Sequence, residues 1–392
     1  MTHFSIFGYY GQGNAGDEAI LASLIDGIQL HMPDSTVSAY SANSSETSQI
    51  HKVNAFRSFS LDIDQVITGI LGRSRKGYIK AARNFFRSDV IIIGGGGLFY
   101  DSKETNKWIY GYLKLIHHAK RFGKKVALVG ISVGPLHHKE SELAIKEAFL
   151  RADLISVRDN SSKELLIKCG VPAERIHVIA DLVFTLQSAP TSHIQTILAQ
   201  EHFLKNDKNN IALTPCCYNV EHEGWLDQYT TICERIVSEL DCNLWLIPMQ
   251  RHQNHDDLSA INTIFGKLSP ATQARTCILK GVYNAKEVQG ILGEANAVLA
   301  ERLHGSIMAM NTDTPFISIA YMPKVIGVLE LAGLENNIIN YNDFLLGISQ
   351  DEILNRLGGY TKNMASFTSV QTSNNSAAEN NFVQLKLLSS QN

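Results

Sequence analysis

No stretch of this chain is both long and apolar enough to cross a bilayer; the nearest, residues 90–99, has four consecutive glycines in its middle. The first residues, Met1-Thr2-His3-Phe4-Ser5-Ile6-Phe7-Gly8, lack a basic segment and run straight into a glycine turn, so no signal peptide is expected. Cysteine is scarce: the six at positions 169, 216, 217, 233, 242 and 277 show no C-x-x-C spacing, which argues against a zinc site. They are expected to be reduced core residues of a cytoplasmic protein. Neither sign of charge prevails, with 35 Lys and Arg against 38 Asp and Glu and a net charge of −3. Nothing global attracts nucleic acid, so no nucleic-acid partner is expected and any anion must be held by a local site.

A length of 392 residues exceeds one ordinary core and points to two domains, and an apolar fraction of 44% is that of a globular protein. Short apolar runs at 4–7, 37–40, 90–93, 126–129, 154–157 and 177–179 alternate with helical patterns. Runs of this kind suit parallel strands buried on both faces. A softer stretch, 187–210, precedes a second series at 211–213, 244–247, 277–279, 298–300 and 316–319. The fold class predicted is α/β, two Rossmann-like doubly wound domains facing a cleft. Their bounds are 1–188, bearing the Asp17 turn, and 189–345. Residues 346–392 form a tail, expected to be partly flexible because 360–380 is rich in Ser, Asn and Thr. Residues 382–388 could dock as a short terminal element.

The densest signal is Glu301-Arg302-Leu303-His304-Gly305-Ser306, between a strand pattern and a helix pattern. Arg302 and His304 would then stand at a helix N-terminus, where unpaired N–H groups favour an anion. The next strand delivers Tyr321-Met322-Pro323-Lys324 to the same edge. The competing reading pairs Arg302 with Glu301 and leaves His304 a cap and Lys324 solvated. Gly11-Gln12-Gly13-Asn14-Ala15-Gly16 follows the first strand and spells a dinucleotide fingerprint. Asp17 and Glu18 open the helix behind it and would compete with a pyrophosphate, and the next strand ends without an acidic residue for a ribose, so NAD is not expected. The glycines are expected to let backbone approach a ligand while Asp17 is aimed into the cleft; the bland alternative is that both carboxylates simply complement the helix N-terminus.

Gly94-Gly95-Gly96-Gly97 at a strand end would expose backbone donors, and Gly130 to Pro135 repeats the idea one strand later. Arg158 is a further candidate anion ligand, against the alternative of a pair with Asp159 or a domain-packing pair. Weaker features are Asp62-Ile63-Asp64, the polar run His252 to Asp257, which has no third metal ligand at a known spacing, and six basic residues between Arg73 and Arg87 interleaved with Tyr78, Ile79, Phe85 and Phe86. The last could rest on an anionic membrane, although a solvated helix face is the commoner cause of such a run. No metal site is expected.

Taken in order, Gly8-Tyr9-Tyr10-Gly11 with Asn14 to Ile20, Gly94 to Leu98, Arg302-Leu303-His304 and Tyr321 to Val325 resemble the polysaccharide pyruvyl transferase family, to about residue 335. The resemblance implies a GT-B-like pair of Rossmann domains. It implies transfer of pyruvate from phosphoenolpyruvate, a co-substrate, to a sugar as a ketal, with no cofactor. It makes Asp17 and His304 catalytic, and Arg302, Lys324, Arg158, Gly95, Gly96 and Asn14 substrate-binding, with the donor on the second domain and the acceptor on the first. The acceptor would be a free or lipid-linked precursor of capsule, exopolysaccharide or cell-wall polymer, with peripheral contact to the inner membrane face left open. The acceptor regions, including Asp62 to Arg87 and Cys216 to Trp225, match nothing assignable. The other readings are a GT-B glycosyltransferase using a nucleotide sugar, and a non-catalytic sugar-binding or scaffold protein.

Overall fold

The computed structural model describes residues 1–58, 75–203, 206–252, 255–362 and 367–390. Asp62-Ile63-Asp64, Arg73 and Gln253-Asn254 lie outside these. The chain divides into two compact units, one of Met1–Gln12, Ile20–Thr185 and Asn375–Asn392, the other of Gly13–Ala19 and Leu186–Asn374. The turn carrying Asp17, which the sequence reading places in the first domain, therefore clusters with the second unit.

The first unit holds β1 (His3–Phe7), β2 (Thr36–Ser41), β3 (Asn54–Arg57), β4 (Val90–Phe99), β5 (Lys125–Val133), β6 (Leu154–Val157) and β7 (Ile176–Val178). They pair in parallel in the order β3-β2-β1-β4-β5-β6-β7, the doubly wound order in which the chain starts centrally, steps out one way and returns to fill the other side. β4 does not stop at Ile93: it continues through the glycines to Phe99, with Gly96 opposite Ile131 and Gly97 opposite Ser132. Gly95 has φ +66°, and a Cβ there would lie 2.0 Å from Ile20 Cγ2. Glycine is needed because the helix Ala15–His31 lies directly on the strand. Gly95 and Gly96 are buried, one under Ile20 and the other in the ladder, which corrects the expectation of backbone left open for a ligand.

The second unit holds β8 (Asn210–Thr214), β9 (Asn243–Leu246), the two-residue arms β10 (Arg251–His252) and β11 (His255–Asp256), β12 (Thr276–Ile278), β13 (Ala297–Ala300), β14 (Phe316–Ala320) and β15 (Ile338–Asn340). Its main sheet is parallel, in the order β12-β9-β8-β13-β14-β15. The chain leaves β8 toward β9 and β12, then returns to β13 and leaves the other way. β8 and β13 thus flank the point where the winding reverses, and ligands of such sheets sit outside the carboxyl ends of the strands there.

Where a partly flexible tail was expected, the described residues form the helices Gln350–Lys362 and Thr368–Ser390. Asn374, Ala378, Asn381, Phe382, Leu385 and Leu388 fall on one helical stripe and are buried. The asparagines that suggest a loop are satisfied: Asn381 donates to the Ala180 carbonyl at 3.3 Å and accepts from Ser156 Oγ at 2.8 Å. Among the described residues no helix is long and apolar enough to cross a membrane.

Candidate active site around Arg302

The apolar strand β13 ends at Ala300, and the helix Leu303–Asn311 begins three residues later with Arg302 as its N-cap. Glu301 and Arg302 fill the turn between them, and their side chains take separate partners. Arg302 does not pair with Glu301. Its Nη2 donates to Asp257 Oδ1 at 2.6 Å and its Nε to Oδ2 at 3.2 Å, a side-on, two-toothed ion pair with the arginine 7% exposed and Asp257 fully buried. The Tyr218 ring lies 4.9 Å from the guanidinium carbon, and Nη2 also reaches Cys217 Sγ at 3.6 Å. Burial alone would favour discharging Arg302, but Asp257 and the neighbouring groups together outweigh it, so the guanidinium stays charged.

Asp257 opens the helix Asp257–Lys267 and accepts three backbone N–H groups besides: Cys217 at 2.9 Å, Met249 at 3.1 Å and Gln250 at 2.9 Å. The amides satisfy the rest of its lone pairs, so the carboxylate that fixes Arg302 in place is itself held rigidly.

Glu301, fully buried, faces the other way. Its carboxyl accepts from Cys216 N at 2.6 Å, Asn219 Nδ2 at 2.7 Å, Trp225 Nε1 at 3.0 Å and Tyr229 Oη at 3.0 Å. Burial pushes its pKa up to about 7 against the pull of these four donors. The two carboxylates therefore tie residues 216–225, which the sequence left unassigned, to the turn that carries Arg302. Cys216 and Cys217 are free thiols, each pushed up to about 12 by burial first, so neither is a thiolate nucleophile at neutral pH. Tyr321, following β14, completes the group: burial and the nearby Cys216 raise its hydroxyl well above the ordinary value, keeping it protonated beside Arg302.

The N-terminal turn belongs to the same unit. Asn14 bridges to Gln250 in an isolated antiparallel contact, Ala15 N donates to Met249 O at 2.8 Å, and Arg251 N donates to Gly13 O at 2.8 Å. Asn14 Oδ1 accepts from Gly16 N at 2.9 Å and Asp17 N at 3.3 Å, capping the helix that Asp17 and Glu18 open. Its Nδ2 reaches Gln250 Oε1 at 3.4 Å, and Tyr218 Oη donates to the same oxygen at 3.2 Å.

A Cβ on Gly16 would fall 1.9 Å from His304 Nδ1. The third glycine of the fingerprint therefore admits an imidazole of the protein itself, where the sequence reading expected a ligand. Gly16→Ala should cost about 1–3 kcal/mol in urea unfolding through overpacking, and far less in a His304→Ala background. Equal costs in the two backgrounds would show that the ring is not what Gly16 accommodates.

Lys324 is the second residue of the helix Pro323–Leu331, past the carboxyl end of β14 and next in the sheet to the turn of Arg302. Arg158 departs from the expectation of an anion ligand. It lies in the first unit, 1% exposed, with Nη1 on Asp181 Oδ2 at 2.6 Å and Nε on Ser132 Oγ at 2.8 Å, which makes it the packing pair of the alternative reading. The structure thus brings Asn14, Asp17, Arg302, His304 and Lys324 into one unit and leaves Arg158, Gly95 and Gly96 in the other. Sequence reasoning missed Asp257, Tyr218, Gln250 and Glu301 as partners. Asp257 ends the run read as a polar cleft loop in preference to a metal site, and among the described residues no group of three or more His, Cys, Asp or Glu could hold a metal ion.

The family model described as polysaccharide pyruvyl transferase matches residues 14–322, which begins at the cap Asn14 and ends at Met322 beside Lys324. The chain is 22% identical over 372 residues to the amylovoran biosynthesis protein AmsJ of Erwinia amylovora, covering 84% of this chain and 86% of that one. In fold it is similar to the UDP-GlcNAc 2-epimerase of Methanocaldococcus jannaschii, with a TM-score of 0.61, 13% identity and coverage of 99% and 100% of the two chains. It is also similar to the ADP-heptose lipopolysaccharide heptosyltransferase II of E. coli, with a TM-score of 0.50, 15% identity and coverage of 92% and 99%. The architecture is GT-B-type, with a parallel sheet in each of two units.

Proposed function

The chain belongs to the polysaccharide pyruvyl transferase family, and on that premise we propose that it transfers the pyruvyl group of phosphoenolpyruvate to two hydroxyls of a sugar as a ketal. The product would be part of a bacterial surface or exopolysaccharide. The observation that carries this reading is the seating of Gly16, one residue before Asp17, against the imidazole of His304, two residues from an arginine anchored on a buried carboxylate. A candidate base, a candidate acid and a fixed cation thereby belong to one unit, at the carboxyl end of the strand where the sheet reverses.

Phosphoenolpyruvate carries a phosphate and a carboxylate on a small frame. Charge-assisted hydrogen bonds contribute about 1.5–3 kcal/mol each, so Arg302, Lys324 and His304 together suffice to hold it. In the reaction a proton adds to the methylene carbon, a sugar hydroxyl attacks the central carbon, and phosphate leaves by C–O cleavage. The second hydroxyl then attacks to close the ring, and each hydroxyl surrenders its proton. Asp17 takes the attacking hydroxyl's proton, His304 delivers a proton to the donor or pairs with its leaving phosphate, and Arg302 and Lys324 bind the anionic groups.

A thermal-shift titration with phosphoenolpyruvate, uridine diphosphate and NAD tests this. Phosphoenolpyruvate alone should stabilise the protein, by about 2.7 kcal/mol at a hundredfold excess over its dissociation constant. Arg302→Ala and Lys324→Ala should each abolish the shift, and Asp17→Asn should keep the shift while losing turnover. Stabilisation by uridine diphosphate instead would replace this reading with a glycosyltransferase using a nucleotide sugar.

A further inference from the structure

The helix Arg75–Arg87 of the first unit carries no acidic residue, and Arg75, Lys76, Lys80, Arg83 and Arg87 are all exposed. Lys76, Lys80, Arg83 and Arg87 recur at spacings of four, three and four, which lines them up along one face of the helix. Ala81 and Phe85 bury the opposite face. None of the five makes an ion pair with a described residue, although the chain as a whole is net negative. Elsewhere on this unit some surface cations are paired, as Lys120 is with Asp153 at 2.7 Å and Arg151 with Glu147 at 3.2 Å.

Beside this stripe stands an apolar element of an unusual kind for a solvated helix. Phe86 and Phe122 are each 45% exposed, packed edge to face with ring centroids 4.9 Å apart. Phe122 follows a helix end carrying Lys120 and Arg121, and Lys124 Nζ donates to the Phe86 carbonyl at 2.7 Å, fixing the two segments together. A row of cations without an ion pair among the described residues, flanked by a pair of half-exposed rings, is the pattern of a surface that lies on anionic headgroups with its aromatic edge in the interface.

We propose that this face of the first unit docks on an anionic phospholipid surface. The paired rings favour a bilayer over a polyanion in solution, since phenyl groups gain from burial in the acyl boundary. This inference is independent of the donor assignment.

The test is co-sedimentation of the full chain with vesicles of phosphatidylcholine, with and without phosphatidylglycerol. The protein should partition onto the anionic vesicles only and be released by salt. Lys80→Ser with Arg83→Ser and Arg87→Ser should lower the partition coefficient roughly a hundredfold, at about fivefold per charge, with an unchanged melting temperature. Phe86→Ser with Phe122→Ser should weaken binding while leaving the charge intact. Equal binding to neutral vesicles, or an unaffected triple variant, would overturn the proposal. So would a single-stranded oligonucleotide that binds through the same cations while vesicles do not.

Discussion

Replacing Asp257 by alanine is expected to destabilise the protein by about 3–5 kcal/mol, the usual cost of removing one partner from a buried ion pair. It is also expected to abolish stabilisation by phosphoenolpyruvate. The substitution strands a guanidinium only 7% exposed and removes the acceptor of three backbone N–H groups. Arg302→Ala should be the milder change for stability, because Asp257 keeps its three amides, yet it should be equally damaging to donor binding. Urea unfolding and a donor titration on both variants separate the two effects. If Asp257→Ala bound the donor as well as the parent does, the placement of Arg302 by Asp257 would be irrelevant to the site.

Glu301→Ala should rank with it, for a different reason. Four buried donors lose their shared acceptor at once, and at about 1–3 kcal/mol for each unsatisfied group the loss amounts to several kcal/mol. Glu301 also predicts a pH dependence. Its pKa is raised from 4.5 to about 7, chiefly by burial, so the folded state holds a proton that the unfolded state has released over that interval. Stability from this group is therefore fully present below pH 4.5, falls as pH rises toward 7, and levels off above it. Glu301→Gln, which mimics the protonated side chain, should remove that slope. Unfolding free energies of the parent and Gln variants at several pH values between 5 and 8 decide the matter; a difference that stays flat, or that grows in favour of the parent with rising pH, excludes the assignment.

How much of this was legible in the sequence follows from which residues carry a local signal. Continuous apolar runs located the central strands of both sheets to within a few residues, because a strand buried on both faces has little choice of composition. The edge strands β3 (Asn-Ala-Phe-Arg) and β15 (Ile-Ile-Asn) escaped, being short and half polar. Glycine was recognised as structurally demanding at Gly16 and Gly95, but its cause was misread: a sequence does not say whether an imidazole, an isoleucine or a ligand fills the space. Arg302 and His304 stood out from their strand-to-helix setting. Asp257 did not, since its link to Arg302 spans 45 positions and nothing in its own neighbourhood announces it. Of the C-terminal helix only the end was foreseen, at Phe382, Leu385 and Leu388; its earlier turns bury Asn374, Ala378 and Asn381, which composition alone reads as a loop.

The Asn14 to Asp17 turn also constrains how the protein is made. It leaves the ribosome well before the segments that complete it: its hydrogen-bond partners are Met249, Gln250 and Arg251, and the ring packed on Gly16 is that of His304. At synthesis rates of roughly 5–20 residues per second, the roughly 290 residues between Gly16 and His304 take on the order of 15–60 s to appear. Throughout that interval the nascent turn lacks the ring that packs on it, so this motif can be completed only after the His304 segment has been made, and a product truncated before it would leave the turn exposed.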